Sequence, residues 1–199
     1  MLTKTSCSSA MRLITTRYWG AWLLLGLWCI TQYAGGTALW DYSRPAIQHG
    51  QFWRLLSGHF VHLNSAHLAL NALGLLAILS VWGKALGEAG PLLLSGAIAL
   101  GISLALWLNE PQLIHYAGAS GVLHGLFAAG IVLAHDASPR FRLAAAAALL
   151  AKLVAETQFN TGSAELIGAP VIHAAHQWGA VFGTLFATAY AALLHRRRR

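Results

Sequence analysis

The sequence predicts an all-α, polytopic membrane protein: a bundle of six transmembrane helices with both termini cytoplasmic. Three observations carry this expectation. Of 199 residues, 57% are hydrophobic and only 10% charged, where an ordinary soluble domain carries about 25% charged residues. The apolar residues gather into runs of near-spanning length separated by short polar links. Threading those runs back and forth across a bilayer then puts ten of the thirteen Lys and Arg residues on one side.

A helix needs about 20 apolar residues to cross the hydrocarbon core. The runs fall at Trp19–Leu39, Ala66–Leu86, Pro91–Leu108, Gly118–His135, Phe141–Phe159 and His173–Leu194. The fourth is short by this measure, and the third and fifth slightly so. Ahead of the first run, Met1–Arg17 is basic and looks like the start of a signal peptide. Its apolar run is long enough to span, which favours an uncleaved first helix. The chain therefore divides into a cytoplasmic N-terminal segment (1–18), a six-helix membrane domain (19–194) and a basic cytoplasmic tail (195–199).

Charge sets the orientation. Lys4, Arg12 and Arg17 precede the first span, Lys84 closes the second, Arg140 and Arg142 join the fourth to the fifth, and Arg196–Arg199 follow the sixth. Placing all of these in the cytoplasm leaves only Arg44 and Arg54 in the outer loops, with Lys152 inside a span. The net charge of +7 is thus loop charge that sets topology, and the terminal arginines an anchor suited to anionic lipid. No phosphate-binding face results, so nucleic acid is not an expected partner. Cys7 and Cys29 are the only cysteines and suggest neither a disulfide framework nor a zinc ribbon.

With this topology the second, fourth and sixth spans all run from outside to inside. His67 and Asn71 open the second, Ser120 the fourth and His176 the sixth, so side chains from separate helices share one depth below the outer surface. Ionisable groups within spans are costly and face a bundle interior or wet cavity. A serine beside a histidine there suggests nucleophilic catalysis, the imidazole taking the hydroxyl proton. Ser120 stands between glycines in Gly118-Ala119-Ser120-Gly121, on the first turn of a helix, where free N–H groups can stabilise an oxyanion. Gly121 and Gly125 make a small-residue face on the fourth span, and Gly179 and Gly183 another on the sixth, so the two helices can approach closely. His176 shares the stripe of Gly179 and Gly183, which aims its ring at the partner helix. His67 and Asn71, one turn apart, can both donate to a developing oxyanion.

Each residue alone has a plainer reading. A serine in a membrane helix bonds to its own backbone, a lone histidine bridges two helices, and paired small residues are packing devices. It is the shared depth that favours chemistry.

These residues resemble the rhomboid intramembrane serine proteases over about residues 19–194. The resemblance rests on Trp53-Arg54 followed by His62-x4-His67-x3-Asn71, on Gly118-Ala119-Ser120-Gly121, and on Ala175-His176-x2-Gly179-x3-Gly183, in that order. It implies a Ser–His dyad without an aspartate, Ser120 attacking and His176 acting as base and then acid. It also implies an oxyanion hole from His67, Asn71 and the Ser120 N–H, with His62 in a supporting role and Trp53-Arg54 in a partly embedded first loop. Neither metal nor other cofactor is implied.

One position departs from many rhomboids: His124 stands where an aromatic ring stacks under the catalytic imidazole. With the compact chain, Gly-Ala-Ser-Gly-Val-Leu-His-Gly resembles the bacterial rhombosortase subfamily. That implies an inner-membrane enzyme opening to the periplasm and substrates anchored by a C-terminal tail: a Gly-Gly motif, a hydrophobic span and a basic end. His124 has two readings, stacking on or bonding to His176, or bridging two helices. Lys152 and Glu156, one turn apart on the fifth span, read as mutual neutralisation, with gating or tail recognition as the alternative. His173 is the residue most easily confused with His176, which lies deeper and on the glycine stripe.

Two other functions fit parts of this pattern. A membrane haem protein would use His67, His124 and His176 as axial ligands. A catalytically inactive rhomboid-like protein that binds membrane clients would have lost nucleophile or base, and both are present. A zinc protease would need His-Glu-x-x-His, which the sequence lacks.

Overall fold

The computed structural model describes residues 18–159 and 164–197. The basic segment ahead of Tyr18 and the final two arginines lie outside the described residues, as do residues 160–163. Helices dominate in the order α1 (Trp19–Tyr33), α2 (Gly36–Trp40), α3 (Arg44–Gln48), α4 (Arg54–Ser57), α5 (Ser65–Leu86), α6 (Gly90–Asn109), α7 (Ser120–Leu133), α8 (Pro139–Phe159), α9 (Ala164–Ile167) and α10 (His173–Arg197). The long helices coincide closely with the six apolar runs.

Two of them, α5 and α6, are long and apolar enough to cross a membrane, and α7 is a shorter apolar helix. At a rise of about 1.5 Å per residue, the 14 residues of α7 extend only about 21 Å. The first run is also shorter than expected. It breaks after Tyr33, where Gly35 and Gly36 take φ values of 113° and 55°, a backbone that glycine adopts without steric cost. The chain then restarts as α2.

The expectation of a purely helical protein fails at one place. Strands β1 (Tyr42–Ser43) and β2 (His115–Tyr116) pair antiparallel, Tyr42 opposite Tyr116 and Ser43 opposite His115. Tyr42, Ser43 and Tyr116 are buried, where unpaired N–H and C=O groups would be costly, and pairing satisfies them, while His115 is exposed. The pair ties the first long loop to the segment entering Ser120. Gly118 N–H adds a bond to Gly58 C=O at 2.9 Å.

That loop is braced by two arginines. Arg54 is buried and bonds the Asp41 carboxylate at 2.5 Å, the Asp41 and Ala38 carbonyls, and the Gln51 side chain. Its guanidinium is therefore an internal brace, and only half-exposed Trp53 is placed as an interfacial anchor would be. Arg44 donates to the carbonyls of Leu106, Trp107, Glu110 and Leu113, tying the first long loop to the end of α6 and the segment that follows it.

At the other end of the bundle, Lys84 at the close of α5 pairs with Asp136 between α7 and α8 at 2.5 Å. Arg142 caps the end of α7 through the Ile131 carbonyl at 2.7 Å. These contacts put the basic links Lys84 and Arg142 on one face, opposite the start of α7.

The tightest packing joins α7 to α10. A Cβ at Gly121 would meet the Ala175 carbonyl oxygen at 2.7 Å, and one at Gly125 would meet that of Gly179 at 2.7 Å. Conversely, Gly179 and Gly183 face the carbonyls of Gly121 and Gly125. The small-residue faces read from the sequence form one seam, backbone against backbone.

Candidate active site

The seam fixes two side chains. Ser120 opens α7 and His176 lies in the first turn of α10, so where the backbones touch the side chains meet: His176 Nε2 stands 2.8 Å from Ser120 Oγ. His176 is buried at 5% exposure and Ser120 half-buried. The second imidazole nitrogen, Nδ1, lies 2.9 Å from Glu156 Oε2 on α8. A carboxylate only accepts, so the Nδ1–H donates to Glu156 and the Nε2 lone pair faces the serine hydroxyl. His173, the nearby alternative, keeps its ring centroid 6.2 Å from that of His176.

His124, one turn beyond Ser120, does what the stacking reading expects. Its ring lies parallel to that of His176, centroids 4.2 Å apart and planes 15° from parallel. Its Nδ1–H donates to the Ser120 carbonyl at 2.7 Å. Its Nε2 therefore accepts, and the Lys152 ammonium donates to it at 3.0 Å. Lys152 also pairs with Glu156 Oε1.

The other predicted residues gather around this pair to different degrees. Asn64 caps α5, its side chain accepting from His67 N–H at 2.8 Å, which fixes where the His67 ring begins. That ring lies against the loop before the serine: a Cβ on Gly118 would come 2.5 Å from His67 Cε1. With φ of 131° at Gly118, glycine is required there on both counts. Asn71 donates through Nδ2 to the His67 carbonyl at 3.1 Å, leaving its other amide hydrogen uncommitted by that bond. His67, Asn71, Ser120, His124, Glu156 and His176 all line one cavity of about 820 Å³. His62 does not reach it. Fully buried behind His67, it meets that ring edge-on at 5.1 Å and Trp28 at 5.4 Å.

Two residues of the site were missed in the sequence. Tyr116, in β2, lines the cavity and donates its hydroxyl to the Gly118 carbonyl at 2.7 Å, pinning the turn into Ser120. Nothing in its local sequence distinguishes it from a packing aromatic. Glu156 was read as the partner of Lys152, with gating or tail recognition as the alternative, and the pairing is present; its contact with His176 was not foreseen. A carboxylate has two oxygens, however, and Glu156 sits near the end of the fifth apolar run as His176 sits near the start of the sixth, a match of level that could have signalled the second contact.

Ligand atoms of His124, Glu156 and His176 lie within 4.8 Å of one another, a spacing a metal ion could use. The Lys152 ammonium already contacts two of these residues and supplies the positive charge there. A haem held between His124 and His176 does not fit, since the two rings stack directly on each other.

The model of the Rhomboid domain matches residues 49–193, well over half of the chain. The chain belongs to the rhomboid family. Rhomboids are in general serine proteases that act on membrane proteins within the bilayer. The sequence is also similar to the Putative rhomboid protease YdcA of Bacillus subtilis (strain 168), 27% identical over 81 residues, which is 41% of either chain. The match to this relative thus spans about two fifths of its length. The rhomboid match begins after α1 and α2 and takes in every residue that lines the cavity from α5, α7, α8 and α10.

Proposed function

We propose that this rhomboid is an active intramembrane serine endopeptidase with Ser120 as nucleophile and His176 as general base. The observation that carries the reading is the 2.8 Å contact between Ser120 Oγ and His176 Nε2 at the wall of a substrate-sized cavity. As Oγ bonds to the scissile carbonyl carbon, its proton passes to Nε2. The carbonyl oxygen becomes an oxyanion, for which the Ser120 N–H, Asn71 Nδ2 and the His67 ring are the available donors. Collapse breaks the C–N bond, and Nε2–H protonates the leaving amine. Water then repeats the sequence on the acyl-enzyme. His62 supports His67 from behind.

The surrounding architecture in this proposal is a six-span domain (19–194) between a cytoplasmic N-terminal segment (1–18) and a basic tail (195–199). The helices α1, α5, α6, α7, α8 and α10 are the spans, and both termini are cytoplasmic in a bacterial inner membrane. The shared face of Lys84 and Arg142 supports this orientation, because the cavity then opens toward the periplasm. Short α7 sets Ser120 below the outer surface, where the cavity admits water while lipid covers the flanks. The stacked His124 supports the narrower rhombosortase reading, with substrates carrying a Gly-Gly-containing C-terminal sorting tail.

Ser120→Ala is expected to abolish processing of a tail-bearing membrane substrate while the protein stays inserted and as stable as the parent. Surface proteomics of cells carrying the two forms is the check. Tails processed equally in both would remove Ser120 from the chemistry.

A further inference from the structure

Among the described residues of α8, Glu156 is the only one buried. Much of the rest faces outward or borders three cavities: the site itself at Lys152 and Ala155, one of about 610 Å³ toward α7 and α10, and one of about 340 Å³ toward α5 and α7. Arg142 ties the start of the helix to the end of α7, Phe141 meets Trp82, and Thr157 accepts from Gln177. Its one buried side chain is the residue that meets the imidazole of His176. Neutralising Lys152 explains one carboxylate oxygen. It does not explain the other, which takes the His176 Nδ1–H at 2.9 Å.

The contacts close on themselves. Ser120 Oγ–H donates to His176 Nε2, His176 Nδ1–H to Glu156 Oε2, Lys152 to Glu156 Oε1 and to His124 Nε2, and His124 Nδ1–H to the Ser120 carbonyl. Each donor faces an acceptor in a single consistent set of protonation states. Buried charge is tolerated when paired and hydrogen-bonded in this way.

We infer that Glu156 is the third member of a Ser120–His176–Glu156 triad, a positioning residue held in place by Lys152 and His124 and supplied by α8. The inference rests on the endopeptidase reading above. The carboxylate keeps the proton on Nδ1, so that Nε2 is free to accept the serine proton, and it faces the imidazolium once that proton arrives. Glu156 stays ionised throughout, and the Nδ1 proton does not move. Because the seam holds Ser120 and His176 together without α8, displacing that helix takes the carboxylate away while leaving the pair joined. Seating of α8 therefore completes the centre.

The test uses the full-length protein in detergent and the rate at which a fluorophosphonate labels it. Glu156→Gln presents an amide NH₂ to Nδ1 and favours the wrong tautomer, so labelling is expected to slow on the order of 10²- to 10⁴-fold. The loss should fall in the maximal rate, with the half-saturating probe concentration unchanged. A purely structural role would not produce that split. Glu156→Asp should recover part of the rate, and Lys152→Met should lose less than Glu156→Gln. Ser120→Ala separates the two levels of the argument. Label surviving in it overturns the endopeptidase reading. Label absent there but within about twofold of the parent rate in folded Glu156→Gln overturns the triad alone. Should Glu156→Gln not fold, histidine ¹⁵N NMR of the unsubstituted protein still decides: a proton on His176 Nδ1 is expected, and an Nε2–H tautomer would refute the triad.

Discussion

The seam between α7 and α10 and the seating of α8 are opposite solutions to holding a membrane helix in place. In the seam, glycines remove the side chains altogether and carbonyl oxygens of one helix touch glycine Cα positions of the other. Along α8 there is no such face. Its one buried side chain is a carboxylate, polar and ring contacts hold its two ends, and cavities flank it on both sides. The first arrangement leaves no freedom in the distance from Ser120 to His176. The second holds what stands behind His176 by side-chain hydrogen bonds, through His176 Nδ1 and Lys152. The proposed nucleophile and base belong to the glycine seam, and the group proposed to orient the base belongs to the helix with a single buried side chain.

The contrast breaks most readily at the seam. Gly179→Val would drive branched carbon into the Gly121 carbonyl, with no flexible neighbour to yield, and is expected to cost more than about 3 kcal/mol and abolish activity. Thermal unfolding in detergent, followed by residual labelling, reads both. A stable, active Gly179→Val would mean the helices are not in backbone contact. Next in size is Gly118→Ala. It combines a φ of 131° with a clash against the His67 ring, so activity should fall at least about tenfold with a modest loss of stability.

Substitutions on α8 away from Glu156 should do far less. Leu150, 63% exposed on this helix, should tolerate Leu150→Ala at a cost within about 0.5 kcal/mol. A large destabilisation would show that α8 is packed as firmly as the seam. The smallest effect is expected at Asp136, outside the spans. The Lys84 ammonium holds its carboxyl below the usual carboxylate range, so any contribution is present above that range and is lost as pH falls through the lowered value. Both partners are exposed, and Asp136→Asn should leave the melting temperature nearly unchanged at every pH.

How much of this was legible in the sequence follows from the same contrast. The seam was readable because small residues four apart on two helices, with a histidine on the same stripe, leave one way to pack. The outside-to-inside direction expected from loop charge for the second, fourth and sixth runs put His67, Asn71, Ser120 and His176 at one depth, and these four line one cavity. The position of α8 was not readable, since its apolar residues repeat around the whole helix and name no buried face. Glu156 was consequently assigned to Lys152, its neighbour in sequence, and its contact with His176, 20 residues away, went unseen. The break after Tyr33 and the β1–β2 pair were missed as well. The break lies within an apolar run long enough to read as one span, and the strand pair joins connections far apart in sequence.

The central claim is that Ser120 and His176 form one reactive unit at the seam. Peptide mapping of the protein after fluorophosphonate treatment tests it most directly. The account predicts a single adduct on Ser120, absent from His176→Ala under conditions where that variant remains folded. An adduct on any other serine, or undiminished modification of Ser120 without His176, would contradict it.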